Sequence, residues 1–254
     1  MLANGTTTAD DPRAALPTPS CLEFPVKPLA RAQPPNASAN GILSQLSRQD
    51  LQLLQPHLST VDLPVRKQLA TRGKRVDDVY FVEAGIASVV GTSAGKQIEI
   101  GIIGPEGMTG LCVVMGNDRA PHDTFMQIGG RGLRISAAKL READEQSRTL
   151  HRTILAYAHT FLVQTAQTAL GNGLNKIEER LARWLLMAGD RLGSDELPLT
   201  HEFLAIMLGT QRPGVTIALH ELERAGLIVT QRGRITITNR KALEKSSNGL
   251  YVSR

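Results

Sequence analysis

The sequence predicts an α+β protein in which a β-rich part is followed by a helical part. Between Val61 and Ile135, short β-rich stretches alternate with glycine turns, which is typical of a compact antiparallel barrel or roll. From about Leu150 to Ala169 the chain contains no Gly or Pro, which predicts one long helix. Between Leu199 and Thr238 the pattern predicts two short helices and a hairpin.

Composition supports two modest domains in a chain of 254 residues. Hydrophobic residues at 41% and charged residues at 21% are typical of a globular protein and exclude a wholly disordered or collagen-like chain. The net charge of +5 is a mild basic excess that suits a nucleic-acid partner without identifying one.

The cysteines and histidines indicate neither a metal nor a cofactor. Two cysteines, Cys21 and Cys112, are too few for a disulfide framework, a four-thiolate zinc site or a four-cysteine iron–sulfur cluster. The six histidines show no ligand spacing. We therefore expect no metal site and no cofactor.

No stretch of the sequence is typical of a membrane protein or a secreted one. The longest apolar runs, 111–115 and 203–208, are far shorter than the ~20 residues that a membrane helix needs. Residues 1–8 lack the basic start and the apolar stretch of a secretion signal. We expect no membrane partner and a cytoplasmic location.

Residues 1–40 are predicted to form a disordered arm. Seven of the 13 prolines precede Asn40, among Ala, Thr and Ser and without a helical or strand period. A solvated tail, a start codon assigned too early and a regulatory arm that carries Cys21 are alternatives that the sequence leaves open.

A β-roll is predicted over residues 41–148. Leucines at near-helical spacing before and after Pro56 predict short helices at its start. Turns are expected at residues 83–85 and 93–95. Ile98 and Ile100 alternate with Glu99, which predicts a half-buried strand. The predicted strands cover residues 79–82, 86–90, 97–103, 125–128 and 133–135.

The long helix is assigned to residues 149–173, after an N-cap at Ser136 for the preceding helical segment. Its apolar residues form two adjacent stripes, so the helix is expected to pack on its own roll and on a second copy in a coiled-coil-like seam. Burial within one chain alone is the alternative. The second stripe is Leu155, Leu162 and Ala169; the first, which supplies the candidate dimer-helix residues, is Ile154, Tyr157, Phe161, Thr165 and Thr168.

Residues 174–245 fit a winged helix-turn-helix. Thr200 is a potential N-cap for a first helix, Gly209 permits a sharp turn, and a second helix follows with an apolar face from Val215 to Leu222. After Gly226, two β-rich runs predict a hairpin wing. Between Ala225 and Leu243 there is no acidic residue, and the basic residues are Arg232, Arg234, Arg240 and Lys241.

These motifs, above all residues 199–216 and 222–228 and the wing around Arg234, resemble the DNA-binding domain of the Crp/Fnr family of bacterial transcription regulators. The order of the parts also agrees: a roll like the cyclic-nucleotide-binding fold, a long dimerisation helix and a winged helix-turn-helix. The resemblance spans about residues 42–243. It implies a homodimer that binds a near-palindromic double-stranded DNA site, with RNA polymerase as a further candidate partner.

Two other function classes are weighed against this one. A small-ligand-binding signalling module acting through protein partners is the alternative, although such a module has no need of an arginine at the start of the second helix or of a wing without acids. An enzyme is not expected, because the chain lacks an acid–base pair, a nucleophile motif and a phosphate-binding loop.

The resemblance also implies which residues contact DNA. Arg212 matches the arginine that binds a base edge, usually guanine, and its planar fork suits guanine O6 and N7. Pro213 replaces an acidic base reader of many members, and Ile217 stands where some carry a second arginine. Phosphate contacts are expected from Thr200, Thr210, Gln211, Arg232 and Arg234, and a second base contact from Thr216.

The part that corresponds to the family's cyclic-nucleotide pocket departs from the pattern. Leu111 stands where the family has glutamate, and Asp123-Thr124 stands about where it has Arg-Ser or Arg-Thr. Two like charges at ~4 Å repel by about 4 kcal/mol at an effective dielectric near 20, so cyclic AMP binding is not expected unless Arg119 or Arg131 compensates. Cys112 is interpreted as a buried inert thiol. The candidate degenerate effector pocket comprises Gly107, Gly110, Leu111, Cys112, Asp123 and Thr124.

Overall fold

The computed structural model of the chain describes residues 38–252. The predicted arm therefore lies outside the described residues except for its last three, and so does Cys21. Asn40 already belongs to the folded part: its side chain is buried and its amide donates to the backbone oxygens of Val82 and Gly107 at 2.7 and 2.8 Å.

The N-terminal part is a roll built on one antiparallel five-stranded sheet. Its strands are β1 (Ser59–Leu63), β2 (Gln68–Ala70), β3 (Asp78–Ser93), β4 (Lys96–Ile103) and β5 (Asp123–Ser136). They pair in the order β1-β5-β3-β4, and β2 pairs with β5 beside β1. The alternation of β-branched residues with glycine turns thus produced the predicted antiparallel arrangement.

The two predicted turns have different outcomes. Residues 93–95 form the hairpin turn between β3 and β4, with positive φ at Ala94 (49°) and Gly95 (74°). The turn predicted at residues 83–85 is wrong, because β3 continues through it with register shifts that bulge the strand around Ala84. Gly85 has φ 88°, and a side chain there would collide with the carbonyl of Ile128.

Helices close the roll and lead away from it. They are α1 (Arg48–Leu54), α2 (Ala137–Gln146) and α3 (Arg148–Leu174); one 3-10 turn (Leu43–Gln45) precedes α1 and another (Gln55–His57) follows it. Ser136 caps α2 as predicted, since its side chain accepts from the Lys139 N–H. The long helix begins one residue before its predicted start and ends one residue after its predicted end, and it continues through Gly171 and Gly173.

The C-terminal part contains four helices and a small antiparallel sheet. The sheet order is β6-β8-β7. Its core is continuous with the outer face of the roll, because Ile86, Ile102 and Ile128 belong to the same buried cluster as the helices. The elements are α4 (Ile177–Leu192), β6 (Glu196–Leu197), α5 (His201–Leu208), α6 (Arg212–Arg224), β7 (Ile228–Gln231), β8 (Arg234–Ile237) and α7 (Arg240–Ser246).

Strand β4 differs from the predicted half-buried strand. Glu99 is 4% exposed and Gly101 is buried, so both faces of the strand are covered. The reason is the packing of the C-terminal helices: Trp184 of α4 contacts Glu99, and Phe161 of α3 lies against Gly101.

Within residues 38–252, the structure contains no helix with the length and apolar character required to cross a membrane.

Candidate nucleic-acid interface

Helices α5 and α6 form the predicted helix-turn-helix. The Thr200 side chain accepts from the Phe203 N–H at 3.4 Å and so caps α5. Gly209 ends α5 in the left-handed conformation, with φ 56°, which favours glycine at this position. The chain then reverses within Thr210 and Gln211 before α6 begins.

Helix α6 has one buried face and one open face. Val215, Ala218, Leu219 and Leu222 are buried against α4 and α5, as the spacing predicts. The opposite face is exposed and carries Pro213, Ile217, His220 and Arg224. This open face is the surface that a recognition helix presents to a major groove.

Arg212 lies at the first position of α6, with 70% of its side chain exposed. Its guanidinium is 3.9 Å from the Glu202 carboxylate, which also pairs with Arg66 of the roll at 3.3 Å. Exposed pairs of this kind are worth roughly 0–1 kcal/mol, so Glu202 leaves the Arg212 fork available to another acceptor.

The three polar residues around the turn, Thr210, Gln211 and Thr216, differ in their exposure and hydrogen bonding. Gln211 is exposed at the N-cap of α6, whereas Thr210 is half-buried and donates its backbone N–H to Ala205. The Thr216 hydroxyl donates to the Arg212 carbonyl at 3.1 Å, so it is engaged within the helix. Ile217, at 64% exposure, is more accessible than Thr216.

The wing is the hairpin of β7 and β8. Gln231 pairs with Arg234, and Gly233 has φ 74° in the turn. Arg232 and Arg234 are exposed, and Arg234 donates to Glu196 of β6 at 3.0 Å. Both arginines therefore lie at the exposed turn of the hairpin.

Arg240 does not add to the charge of the wing, although it is one of the basic residues that follow Ala225 in the sequence. Its guanidinium forms ion pairs with Asp190 and Asp195 and donates to the Tyr251 hydroxyl. These contacts tie α7 to α4, which explains why the basic charge of Arg240 is neutralised within the domain.

The predicted effector residues only partly come together. Gly110, Leu111, Cys112 and Thr124 line a cavity of about 90 Å³ inside the roll, beside Phe161 of α3. The remaining lining residues are Ala70, Val76, Val89, Ile103, Met108, Ala120, Pro121 and His122.

Two predicted members of the pocket lie outside this lining. Gly107 is packed beneath the ring of Tyr157, where a Cβ would overlap the Tyr157 side chain. Asp123 accepts from the Arg72 N–H at 3.1 Å and from the Gln68 amide at 3.4 Å. The prediction that the cavity gained a carboxylate is therefore wrong, because Asp123 is held by β2 and the segment that follows it.

The residues that line the cavity include no Lys, Arg, Asp or Glu. Arg131 pairs with Glu83, and Arg119 donates to the Gly73 carbonyl, so neither supplies a cation to the cavity. Burial lowers the pKa of His122 and raises the pKa of the Cys112 thiol, which leaves both groups neutral near pH 7.

Helix α3 buries the large residues of its first stripe and leaves its second stripe exposed. Ile154 and Tyr157 are buried in the core of their own roll, and Phe161 packs on β4. The first stripe therefore cannot supply the main contacts with a second copy, because its largest members are already buried. The open face carries Leu155, His159, Leu162, Ala166, Ala169 and Gly173, all exposed and spaced alternately four and three residues apart.

Residues 179–246 match the Crp-like helix-turn-helix domain. No curated protein matches the chain in sequence.

Many solved structures are similar to this chain. A transcriptional regulator of the Crp/Fnr family from Eubacterium rectale has 20% identity and a TM-score of 0.66, covering 83% of this chain and 99% of that one. FixK2 from Bradyrhizobium japonicum has 17% identity and a TM-score of 0.64, over 78% of this chain and 98% of that one.

TTHB099, a Crp-family transcriptional regulator from Thermus thermophilus, has 17% identity and a TM-score of 0.63, over 74% of this chain and 97% of that one. At such identities the likeness establishes the fold. It confirms the predicted α+β class with a roll, a long helix and a winged helix-turn-helix.

Proposed function

Because the chain is a Crp/Fnr-type protein, with a Crp-like helix-turn-helix domain on the fold of that family, we propose that it regulates transcription as a homodimer on a near-palindromic DNA site, without cyclic AMP. The family match confirms the resemblance predicted from the sequence and supports DNA-binding transcription regulation. It does not favour the alternative of a signalling module that acts through protein partners.

The observation that carries the proposal is the open face of α6. Arg212 is exposed at the end of the helix that enters the groove, where a planar guanidinium can donate to guanine O6 and N7 together. Arg232 and Arg234 extend from the wing, where phosphate contact is expected. A surface that packed against a protein partner would have no need of this distribution of cations.

The homodimer is supported by the open face of α3. Its exposed residues repeat at alternating steps of four and three, which is the spacing of a two-stranded coiled-coil seam. Leu155 and Leu162 supply apolar contact, and the small residues Ala166, Ala169 and Gly173 permit close approach of a second helix. The proposal requires the two-fold axis of this seam to place the two α6 helices in successive major grooves about one helical turn apart.

Independence from cyclic AMP is supported by the cavity in the roll. A cyclic phosphate carries a negative charge, and desolvating that charge without a cation costs several kcal/mol. The cavity lining has no Arg or Lys, and its volume of about 90 Å³ is small for a nucleotide.

Selection of bound DNA from a random pool tests the proposal. Purified full-length protein is incubated with the pool in the absence of effector and again with cyclic AMP. We expect both selections to enrich the same near-palindromic sequence, with affinity that falls steeply as salt rises.

Two results would contradict parts of the proposal. Absence of any enriched sequence would remove sequence-specific DNA binding. Enrichment only with cyclic AMP would show that DNA binding depends on this effector. Arg119 or Arg131 would then be the candidates for compensating the charge in the pocket. RNA polymerase as a partner stays a prediction.

A further inference from the structure

We propose that Glu99 is a proton-operated latch between the roll and the C-terminal domain: its protonated form holds α4 and α5 against β4, and its ionisation releases them. The proposal concerns a contact inside one chain and goes beyond DNA binding.

Glu99 lies at the centre of the contact between the two parts. One carboxylate oxygen accepts from the Trp184 indole N–H of α4 at 2.6 Å. The other lies 2.5 Å from the Ser88 hydroxyl of β3. A carboxyl group so placed is bonded to both sides of the contact, and it is 4% exposed.

When the Glu99 carboxyl is ionised, there is one donor hydrogen too few for the acceptors around Ser88. Ser88 has a single hydroxyl hydrogen, but it faces two acceptors: Glu99 at 2.5 Å and the Gln127 amide oxygen at 2.9 Å. A protonated Glu99 supplies the missing hydrogen, since it donates to Ser88 while Ser88 donates to Gln127. The Gln127 amide N–H then continues the chain to the Met207 sulfur of α5 at 2.6 Å.

Among residues 38–252, no cation forms a hydrogen bond or ion pair with Glu99, although the guanidiniums of Arg183 and Arg191 lie near it. Arg183 of α4 donates to the carbonyls of Leu250 and Gln164, and Arg191 pairs with Glu106. The other elements packed around the carboxyl present neutral groups: Ser88 from β3, Gln127 from β5, Gln164 from α3 and Met207 from α5. Arg180 lines the same junction and donates to the Leu208 carbonyl.

Burial raises the pKa of Glu99 from its ordinary value of 4.5 to about 7, against the lowering effects of Ser88, Trp184, Arg191 and Arg183. The docked arrangement therefore binds the proton more tightly than a solvated Glu99 does. By linkage, docking is strongest below pH 4.5 and weakens as the pH rises towards 7. The docking equilibrium is expected to change on the order of 100-fold across that interval.

The single tryptophan of the chain, Trp184, reports the latch directly. Its side chain is buried in the docked arrangement, so release exposes it and shifts its fluorescence emission to longer wavelength. We expect wild-type emission to shift as the pH is raised from about 4.5 to about 7, with unchanged far-ultraviolet circular dichroism. Glu99→Gln, which keeps the hydrogen-bond donor at every pH, should remain at short wavelength throughout.

A control variant keeps the test decisive. Glu142→Gln changes an exposed glutamate on α2, and its Trp184 emission should respond to pH as that of wild type does. A wild-type emission that does not respond to pH, a Glu99→Gln variant that titrates like wild type, or a shift accompanied by loss of helix would each overturn the latch.

A consequence for DNA rests on the proposed function. In the docked arrangement the turn before α6 is pressed on β4, since a Cβ on Gly209 would lie 2.6 Å from the Ile98 Cδ1 atom. A phosphate cannot approach Thr210 from that side. Glu99→Gln should therefore bind the selected DNA at least tenfold more weakly than wild type at about pH 8.

The two proposals can fail separately. If wild type binds no DNA but Trp184 titrates as expected, the proposed function is lost and the latch stands. If Glu99→Gln and wild type bind DNA equally at every pH while Trp184 does not titrate, the latch is lost and the proposed function stands.

Discussion

Arg212 carries the most specific prediction at the scale of a single residue. It is exposed at the groove-facing start of α6, and its weak contact with Glu202 leaves its five N–H donors available. Arg212→Ala should lose about 1–3 kcal/mol of binding to the selected site and relax discrimination at one base pair in each half-site. Affinities for the selected site and its single-base variants, measured by fluorescence anisotropy, check this.

Arg232→Ala is the matched control, because Arg232 is an exposed arginine on the wing. A phosphate contact carries no sequence information, so this variant should weaken binding to all sequences about equally and reduce the salt dependence by about one charge. If Arg212→Ala and Arg232→Ala had the same effect on base preference, Arg212 would not be the base reader.

Asp50 supports a second residue-scale prediction, about stability. Burial raises the pKa of Asp50, but hydrogen bonds from Ser147, Ser47 and Thr149 outweigh that effect and lower it below 3.8. These bonds join α1 to the start of α3. Asp50→Asn should lower the free energy of unfolding by about 1–3 kcal/mol at pH 7.

The pH dependence distinguishes the Asp50 carboxylate from a merely packed side chain. A lowered pKa contributes stability above pH 3.8 that is lost as the pH falls through the pKa of the folded state. The difference between wild type and Asp50→Asn in urea unfolding should therefore shrink towards about pH 3. Asp118→Asn, at an exposed carboxylate, should show no such difference.

At the scale of elements, the seam on α3 predicts the oligomeric state. Leu162 is 65% exposed and lies in the middle of the exposed seam. Leu162→Glu places a charge against its own copy across the two-fold axis, so the protein should become monomeric and lose most of its affinity for a palindromic site. Light scattering gives the mass, and circular dichroism should show an unchanged fold.

Thr160→Glu is the control for the seam. Thr160 is an exposed position on the same helix, away from the seam, so this variant should remain dimeric. A Leu162→Glu variant that stayed dimeric would place the interface elsewhere.

Local signals in the sequence predicted where the elements begin and end better than they predicted how the elements pack against each other. Thr200, Gly209 and Ser136 mark helix ends through caps and turns that depend on a few neighbouring residues, and the structure has them as predicted. The turn expected before Gly85 was wrong, because pairing with β5 keeps the strand continuous across the bulge.

Long-range packing could not be read from periodicity. The two stripes of α3 are both apolar, and only the position of the roll determines that Tyr157 is buried and Leu162 exposed. Glu99 has the alternation of a solvent-facing residue, yet α4 covers it. The same reason explains why Asp123 was expected in the cavity and lies outside it.

At the scale of the whole molecule, the roll and the C-terminal domain share one buried cluster. Ile86, Ile102 and Ile128 of the sheet pack with Trp184 and Leu208 of the helices, and a separate cluster fills the other side of the roll. The roll and the C-terminal domain are therefore joined by direct packing, because the outer face of the sheet is part of the core of the C-terminal domain.

This arrangement predicts that a cavity made in the shared cluster, on one side of the sheet, destabilises α6. Ile86→Ala removes a fully buried side chain from the shared cluster, and Ile135→Ala removes one of the same chemistry from the separate cluster. Each should destabilise the protein by about 2–5 kcal/mol. Under conditions where exchange reports local opening, hydrogen exchange of the α6 amides should accelerate in Ile86→Ala and stay near the wild-type rate in Ile135→Ala, because only Ile86 supports the helices directly. Equal acceleration in the two variants would mean that the α6 amides exchange only through global unfolding. The packing of the roll against the shared cluster would then not stabilise α6 locally.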